Sequence, residues 1–388
     1  MKTLTSRLSP IVQNLPPSGI RRFFDLANQM EGVISLGVGE PDFVTPWHIR
    51  EAGIYSLEQG YTSYTSNRGL PELCAEICAY LTRYGLEYDP AREVFVTIGG
   101  SEAIDLALRA LICPGDEVLI PEPTYVAYRP CALLAGAQVV GVPTRAEDEF
   151  RLTPELLEAH ITPRAKVLVL CFPNNPTGSV MTDADLRAIA EVAMRHDLMV
   201  ISDEIYAELT YGHRHVSIAS LPGMKERTIV IGGMSKAYAM TGWRIGYAAG
   251  PADILGAMLK IHQYTILCAP VTAQLAALEA LRNGEAEKDR MVASYDQRRR
   301  LIVQGLRDIG LPCHEPKGAF YAFPDIRPTG LSSEAFAEQL LTAEKVAVVP
   351  GSVFGAAGEG FVRCSYATSV TQIERALERI GRFVRTLG

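Results

Sequence analysis

The stretch "TIVIGGMSKAYAMTGWRIGY", residues 228–247, contains the features that predict the fold. It begins with a short apolar run, residues 228–231, that is typical of a buried strand. We expect Gly232 and Gly233 to end this strand, so Lys236 should emerge at a strand end, where open α/β sheets bind their ligands. A loop lysine is usually a solvated surface charge, but the strand and glycines before this one favour a functional amine.

Similar apolar runs recur on both sides of this stretch and predict the central sheet. They are short, rich in Val and Ile, and mostly separated by helical periods such as residues 182–197. This alternation predicts an α/β fold with a mostly parallel sheet and helices on both faces. The runs are residues 93–100, 116–123, 137–143, 165–172, 198–204 and 244–250.

The chain after about residue 270 has a different pattern, which predicts a smaller α+β domain. Residues 270–310 are largely helical with a break near Asn283 and Gly284, and a further helix over 332–343 and a terminal helix from Thr371 alternate with short strands. The first 45 residues carry four prolines and predict an irregular arm. The predicted division is an N-terminal arm with part of the small domain over 1–45, a large cofactor-binding domain over 46–285, and a small C-terminal domain over 286–388.

Composition excludes several classes of function for these 388 residues. The formal net charge of −7 gives no basic footprint, so we expect no nucleic-acid partner. No apolar run approaches the ~20 residues that a spanning helix needs, and the N-terminus lacks the features of a signal peptide. We read the eight cysteines as reduced core residues; Cys74 and Cys78 have helical spacing, so no metal site is expected. The protein is therefore expected to be cytoplasmic, without a membrane partner.

Two stretches combine a strand end with a turn that suits a ligand. "TIGGSEAI", residues 97–104, places Gly100 and Ser101 where a helix begins, and the free N–H groups of a helix N-terminus bind phosphate. A plain tight turn is the alternative explanation. "CFPNNPTG", residues 171–178, holds Asn175 in a proline-rich loop after a strand, which is also compatible with an ordinary loop.

Two further stretches place charged or hydroxyl groups in apolar surroundings. "VISDEIY", residues 200–206, ends a strand at Asp203 with Tyr206 three residues later, although a helix-capping Asp explains the first residue equally well. In "FVRCSYA", residues 361–367, Arg363 sits inside an apolar strand. A buried arginine there is costly unless it meets an anion.

These residues together satisfy the needs of one cofactor, pyridoxal 5'-phosphate. A lysine with a lowered pKa forms an imine with an aldehyde, as Lys236 could, and Asp203 could keep the pyridine nitrogen protonated. The remaining assignments are Asn175 and Tyr206 at the phenolate oxygen, Ser235, Arg244, Gly100 and Ser101 at the phosphate, and Arg363 at the substrate carboxylate.

The sequence resembles the class I aminotransferases of fold type I over nearly its whole length. The pairing of "SK" with "MTGWRIGY" is the most specific part of the resemblance. The matching motifs are "SLGVGEPDF" (35–43), "YTSYTSNRGLPEL" (61–73), "PEPTYVAY" (121–128), "PNNPTG" (173–178), "SDEIY" (202–206), "SKAYAMTGWRIGY" (235–247) and "PGSVFGAAGEGFVRCSYA" (350–367).

The resemblance implies roles for residues that chemistry alone did not single out. Tyr125 would stack on the cofactor ring, and the backbone of Gly39 would contact the substrate together with Asn175 and Arg363. Tyr64 would cross a subunit boundary to the neighbour's phosphate, so the resemblance implies a homodimer with shared active sites. It also implies ping-pong transfer of an amino group from an L-amino acid to a 2-oxo acid such as 2-oxoglutarate, with Lys236, Asp203 and Tyr206 as catalytic residues.

The substrate is predicted from the same comparison of motifs. In the resemblance, relatives adapted to aspartate have "GGK" where this chain has Gly99-Gly100-Ser101. The cation that would bind a second carboxylate is therefore missing here, and an aromatic or bulky amino donor is expected. The nearest overall resemblance, which includes "SGIRRFFDLA" (18–27) and "KGAFYAFPDI" (317–326), is to aromatic aminotransferases and to the N-acetyldiaminopimelate type. "GGSEAID" (99–105) and "KIHQY" (260–264) favour the latter, and Arg21 or Arg22 could still meet a second carboxylate.

Other functions within and beyond this cofactor class remain alternatives at this point. They are an N-acetyl-LL-diaminopimelate aminotransferase, an aspartate aminotransferase and a pyridoxal-phosphate-dependent C–S β-lyase. A transcriptional regulator with such a domain is disfavoured, because the motifs begin by residue 35 and leave no room for a DNA-binding module.

Overall fold

A computed structural model describes residues 7–17, 19 and 30–387. Its α-helices are α1 Pro10–Asn14, α2 Trp47–Glu58, α3 Pro71–Leu81, α4 Gly99–Leu111, α5 Tyr128–Leu134, α6 Pro154–Glu158, α7 Asp183–Arg195, α8 Ala252–Thr265, α9 Val271–Asn283, α10 Glu285–Asp308, α11 Ser333–Glu344 and α12 Val370–Arg385. Its strands are β1 Ile34–Ser35, β2 Val94–Thr97, β3 Glu117–Glu122, β4 Gln138–Pro143, β5 Ala165–Cys171, β6 Met199–Asp203, β7 Thr228–Gly233, β8 Gly246–Ala249, β9 Tyr321–Ala322, β10 Val346–Ala347, β11 Val349–Pro350 and β12 Val362–Ser365.

A seven-stranded sheet with the order β2-β8-β7-β6-β5-β3-β4 forms the centre of the molecule. All its pairings are parallel except those of β8, which is antiparallel to both β2 and β7. The prediction of a mostly parallel sheet is confirmed. Cys171, Asp203 and Ile231 are adjacent in register, so the carboxyl ends of β5, β6 and β7 lie together at one edge of the sheet.

Helices cover both faces of this sheet. Successive residues of a strand point to opposite sides, and in these strands both sets of side chains are apolar and pack against helices. In β6, Ile201 packs in a cluster with Ile104 of α4, whereas its neighbour Val200 packs in another cluster with Ile189 of α7. Strands buried on both faces are continuous apolar runs, and this explains why the sequence predicted them well.

Two smaller sheets lie outside the central one. The strands β11, β12 and β9 form an antiparallel sheet in that order, and β1 pairs with β10 in parallel. The pairing of Ile34 with Val346 joins the early chain to its C-terminal third. The helical region after residue 270 is broken at Gly284, as predicted, since α9 ends at Asn283 and α10 begins at Glu285. The boundaries of the two domains stay a prediction.

The strand before Lys236 is longer than expected. Gly232 and Gly233 are the last two residues of β7, where they pair with Tyr247 and Gly246 of β8. A Cβ atom on Gly232 would lie 2.3 Å from the hydroxyl oxygen of Tyr247, so glycine is needed for this close approach rather than for a turn.

The cysteines are all free, but the expectation that all of them lie in the core is wrong for three. Cys113 is exposed at a turn, and Cys131 and Cys268 are half-buried. In the described part of the chain, no three metal-ligating side chains gather into a site. No helix there is long and apolar enough to cross a bilayer.

Candidate active site

A cavity of about 290 Å³ lies at the carboxyl edge of the central sheet. Nearly all the predicted site residues line it, although they come from distant parts of the chain. They are Gly39, Gly100, Ser101, Tyr125, Asn175, Asp203, Tyr206, Ser235, Lys236, Arg244 and Arg363. Parallel strands explain this convergence, because the turns that follow β5, β6 and β7 open at the same edge.

Lys236 follows β7 and extends into this cavity. Its Nζ donates a hydrogen bond to the carbonyl oxygen of Gly39 at 2.7 Å. Burial, together with the positive charge of Arg363, lowers the pKa of Lys236 to about 8. A larger share of the amine is therefore neutral near physiological pH than in an ordinary lysine, and the neutral amine is the form that attacks a carbonyl group.

Asp203 is the last residue of β6 and is buried beneath the cavity. Burial raises its pKa to about 6, although the hydroxyl of Tyr128 donates to its Oδ2 at 2.7 Å and opposes that rise. The backbone N–H of Ile205 donates to its other oxygen at 3.1 Å. The carboxylate is thus fixed in position and suited to hold a proton on a ring nitrogen in the cavity.

Tyr128 is a site residue that sequence reasoning missed. It is fully buried at the start of α5 and lines the cavity beside Asp203. Its ring meets that of Tyr125 edge to face, with centroids 5.5 Å apart. Its place three residues after Tyr125, in the same motif "PEPTYVAY", was the signal that could have identified it.

The N-terminus of α4 forms a cradle of backbone N–H groups that is suited to an anion. The first N–H groups of a helix have no partner within it, and Gly100 and Ser101 present this end to the cavity. Gly99 adopts φ +70°, and a Cβ atom there would lie 2.6 Å from a guanidinium nitrogen of Arg244. Arg244 itself is anchored by donating to the carbonyl oxygen of Thr241 at 2.7 Å. Backbone donors and a cation thus converge on one place, which Ser235 also lines.

Arg363 lies on β12 and is only 2% exposed. One terminal nitrogen donates to Oδ1 of Asn175 at 2.8 Å, and the other donates to the carbonyl oxygen of Gly37 at 2.6 Å. Its Nε has no hydrogen-bond partner among the described residues, nor does any carboxylate there form an ion pair with it. A buried guanidinium of this kind suits a carboxylate ligand that enters the cavity.

Tyr321 is a second residue that the sequence did not single out. Its hydroxyl lies 2.8 Å from that of Tyr206, and burial raises the pKa of both, so both stay protonated. The guanidinium carbon of Arg363 lies 4.5 Å from the centre of the Tyr321 ring. A Cβ atom on Gly39 would lie 2.7 Å from the Tyr321 hydroxyl oxygen, so this wall of the cavity requires glycine. The stretch "GAFYAF", residues 318–323, includes this tyrosine, but the sequence alone does not show that its side chain lines the cavity.

Some predicted residues lie elsewhere. Tyr64 is 82% exposed and does not line the cavity of its own chain. Arg21 and Arg22, considered for a second carboxylate, lie outside the described residues.

The sheet and the cavity define an α/β enzyme of fold type I. One site brings together an amine, a buried carboxylate, a helix N-terminus suited to an anion, and a buried guanidinium that has no carboxylate partner among the described residues. Residues 31–380 match the family described as aminotransferase class I and II, and the chain belongs to that family. It is therefore a transaminase, and the prediction of family, fold and enzyme class is confirmed.

Three similar proteins illustrate the range of the family. The chain is 59% identical to the Bacillus subtilis (strain 168) protein YugH, over 98% of this chain and 99% of that protein. It is 48% identical to an aspartate aminotransferase of Pyrococcus abyssi, over 95% and 96% of the two chains. The crystal structure of an aromatic aminotransferase from Pyrococcus horikoshii OT3 matches with a TM-score of 0.91 and 46% identity, covering 94% of this chain and 100% of that one.

Proposed function

We propose that this aminotransferase is a cytoplasmic, pyridoxal-phosphate-dependent enzyme. It transfers an amino group from an aromatic or other bulky L-amino acid to a 2-oxo acid such as 2-oxoglutarate, by a ping-pong mechanism. The observation that carries the proposal is the meeting of Lys236, Asp203, Arg363 and the anion cradle in one cavity. The free cysteines are typical of a reducing compartment.

The cavity fits pyridoxal phosphate in charge and in the kinds of donor it offers. Because Gly99 has no Cβ atom, the guanidinium of Arg244 can lie close to the start of α4, and a cation and the free N–H groups of the helix end can act on the same phosphate. When bound, the cofactor supplies an electrophilic aldehyde and a ring that withdraws electrons from the substrate Cα atom. The residues proposed to hold it are Gly100, Ser101, Ser235 and Arg244 at the phosphate, Asp203 at the ring nitrogen, Asn175 and Tyr206 at the ring oxygen, Tyr125 against the ring face, and Lys236 at the aldehyde.

Lys236 is proposed to have two tasks in the cycle. Its neutral amine would hold the cofactor's aldehyde before the amino donor arrives and, once released, would take the proton from the donor's Cα atom. The lowered pKa of about 8 suits both tasks, because a useful fraction of the amine is neutral and still basic enough to accept a proton. Asp203 keeps the opposite end of the site negative and so stabilises the protonated ring nitrogen.

Arg363 is proposed to bind the α-carboxylate of both substrates. Its contacts with Asn175 and with the Tyr321 ring fix the plane of the guanidinium, and a fixed planar fork can hold a carboxylate by two parallel hydrogen bonds. The amino acid and the 2-oxo acid share this carboxylate, so one arginine serves both halves of a ping-pong cycle.

The preference for bulky donors rests on the charges that line the cavity. Among the described residues, its cations are Lys236, Arg244 and Arg363, and each already has a partner in the proposed chemistry. Ser101 stands where aspartate-adapted relatives are expected to carry a cation. An aspartate side chain would therefore enter without a counter-ion, which is unfavourable. Aspartate is nevertheless the second candidate, because a relative named an aspartate aminotransferase is 48% identical.

A homodimer is proposed because aromatic and apolar side chains are exposed in two regions of the described chain that contact each other. Val44, Trp47 and Tyr64 are exposed in the early chain, and Tyr264 is 87% exposed at the end of α8. The loop containing Tyr64 is joined to this second region, since the side chain of Asn67 donates to the carbonyl oxygen of Leu267 at 2.7 Å. A second copy would bury these rings, and Tyr64 would then reach the partner's phosphate.

The substrate proposal is tested by steady-state kinetics with 2-oxoglutarate as the common acceptor. We expect kcat/KM for phenylalanine and tyrosine to exceed that for aspartate and for N-acetyl-LL-diaminopimelate. Differences among apolar donors should be modest, since each methylene contributes about 1–3 kcal/mol. If aspartate exceeds the aromatic donors by about tenfold or more, the argument from the missing cation is wrong.

A further inference from the structure

A buried histidine and glutamate meet directly behind the anion cradle. The ring nitrogen Nδ1 of His262, on α8, lies 2.7 Å from Oε1 of Glu102, in the first turn of α4. Glu102 follows the cradle residues Gly100 and Ser101 in sequence, whereas His262 comes 160 residues later. Neither residue takes part in the chemistry proposed above.

Glu102 closes the turn that forms the cradle. Ile98, the residue before the first turn of α4, has no polar side chain to cap the helix. The Oε2 atom of Glu102 accepts the Ile98 N–H at 2.5 Å instead, while its Oε1 accepts from His262. The Glu102 carboxylate thus connects the backbone of Ile98 to both α4 and α8. The backbone between Ile98 and Glu102 is the cradle.

His262 is in an unusual environment for a histidine. Its side chain is fully buried, its ring centroid lies 5.6 Å from that of Phe95, and its Nε2 atom has no partner among the described residues. A buried polar atom without a hydrogen-bond partner, such as this Nε2, is destabilising. The hydrogen bond from His262 fixes the position of the Glu102 carboxylate, which accepts from no other side chain among the described residues.

The carboxylate would oppose anion binding if it were free to turn toward the cradle. A negative charge in the first turn competes with a bound anion for the same end of the helix. Its two oxygens are instead engaged by the Ile98 N–H and the His262 ring, so the carboxylate is not free to take the N–H groups of Gly100 and Ser101 as partners.

We propose that Glu102 and His262 are positioning residues that set the affinity of the cradle for the cofactor's phosphate. This inference rests on the proposed function, since it requires that the cradle binds phosphate. The pair acts through the backbone at Gly99 to Ser101 and touches neither cofactor nor substrate.

Inorganic phosphate binding to the cofactor-free full-length protein, measured by calorimetry, tests the inference. Glu102→Ala and His262→Phe should each weaken binding about tenfold, the effect of losing a hydrogen bond to a charged group. The double variant should be no weaker than either single one, because the two residues act as a unit. Glu102→Gln should restore most of the affinity, since its amide can accept from Ile98 and donate to the ring.

A second measurement separates positioning from general damage to the fold. Pyridoxal lacks the phosphate, so the ratio of its Kd to that of pyridoxal phosphate should fall in Glu102→Ala and His262→Phe. His48→Phe is the matched control, because it removes a histidine–glutamate contact of the same 2.7 Å length, to Glu279, and neither of these residues lines the cavity. Its phosphate affinity should be unchanged.

Each contrary result has a distinct meaning. Wild-type affinity for phosphate in Glu102→Ala and His262→Phe would overturn the positioning role while leaving the proposed function intact. An equal loss of affinity for pyridoxal and pyridoxal phosphate would also overturn it. If the wild-type protein itself does not bind phosphate, the cradle assignment fails, and with it the phosphate site of the proposed function.

Discussion

The reactivity of the Lys236 amine is the property of the site that depends most directly on its burial. Burial and the charge of Arg363 lower its pKa to about 8. At pH 7 about 9% of this amine is then neutral, compared with about 0.04% of an ordinary lysine with a pKa near 10.4. The neutral fraction is thus about 230-fold larger, and even with the lower nucleophilicity of a less basic amine we expect labelling at least about tenfold faster.

Reductive alkylation of the cofactor-free protein measures this difference. Brief exposure to acetaldehyde and cyanoborohydride between pH 6 and pH 9, followed by peptide mass spectrometry, gives the extent of modification at each lysine. Labelling of Lys236 should rise with pH and level off above about pH 8, where the amine is mostly neutral. The exposed Lys260 provides a reference for solvent access.

Lys288 is a second control in which burial has the opposite outcome. Burial alone would lower its pKa, but Glu208, whose Oε2 lies 2.8 Å from its Nζ, raises the pKa above the usual value. Lys288 should therefore label more slowly than Lys260 at every pH. If Lys236 follows the pH profile of Lys260 without levelling off, the cavity does not depress its pKa and the reasoning fails.

Three further changes test other parts of the site. Asp203→Asn should keep the fold yet reduce kcat by about 10³-fold, because the charge that holds the ring proton is lost; near-normal turnover would mean that another group does this. Arg363→Lys should raise KM for the amino acid by about 10- to 100-fold, with the cofactor Kd unchanged, because an ammonium cannot hold a carboxylate at two points. Light scattering should give the mass of a dimer, and Tyr64→Phe should weaken cofactor binding; a fully active monomer would refute the shared site.

The central sheet was predictable because most of its strands are buried on both faces. Runs such as residues 165–172 and 198–204 are rich in Val, Leu and Ile, and most of the runs are bounded by Pro, Asp or Gly, so both their type and their approximate ends are apparent. Strand order was not predictable, because it depends on the direction of each crossover. The two-residue strands β1 and β10 were also beyond prediction, since their pairing across 312 positions, from Ile34 to Val346, has no local signal.

The candidate site was predictable where a residue type conflicts with its local surroundings. Arg363 in an apolar strand and Lys236 after a buried one are such conflicts, and both line the cavity. Tyr128 and Tyr321 were missed because a tyrosine in an apolar run is usually a core residue, and the sequence gives no sign of another role. Only the folded chain shows that one hydroxyl meets Asp203 and the other meets Tyr206.

The central claim, a ping-pong aminotransferase, is tested most directly by a half-reaction without acceptor. The cofactor-loaded enzyme is mixed with an excess of L-tyrosine or of its best donor, and the released 2-oxo acid is measured per subunit. We predict a single equivalent, then no further release until 2-oxoglutarate is added, because the amino group stays on the enzyme. Continuous release of a 2-oxo acid and ammonia in the absence of acceptor would contradict the account and indicate a lyase.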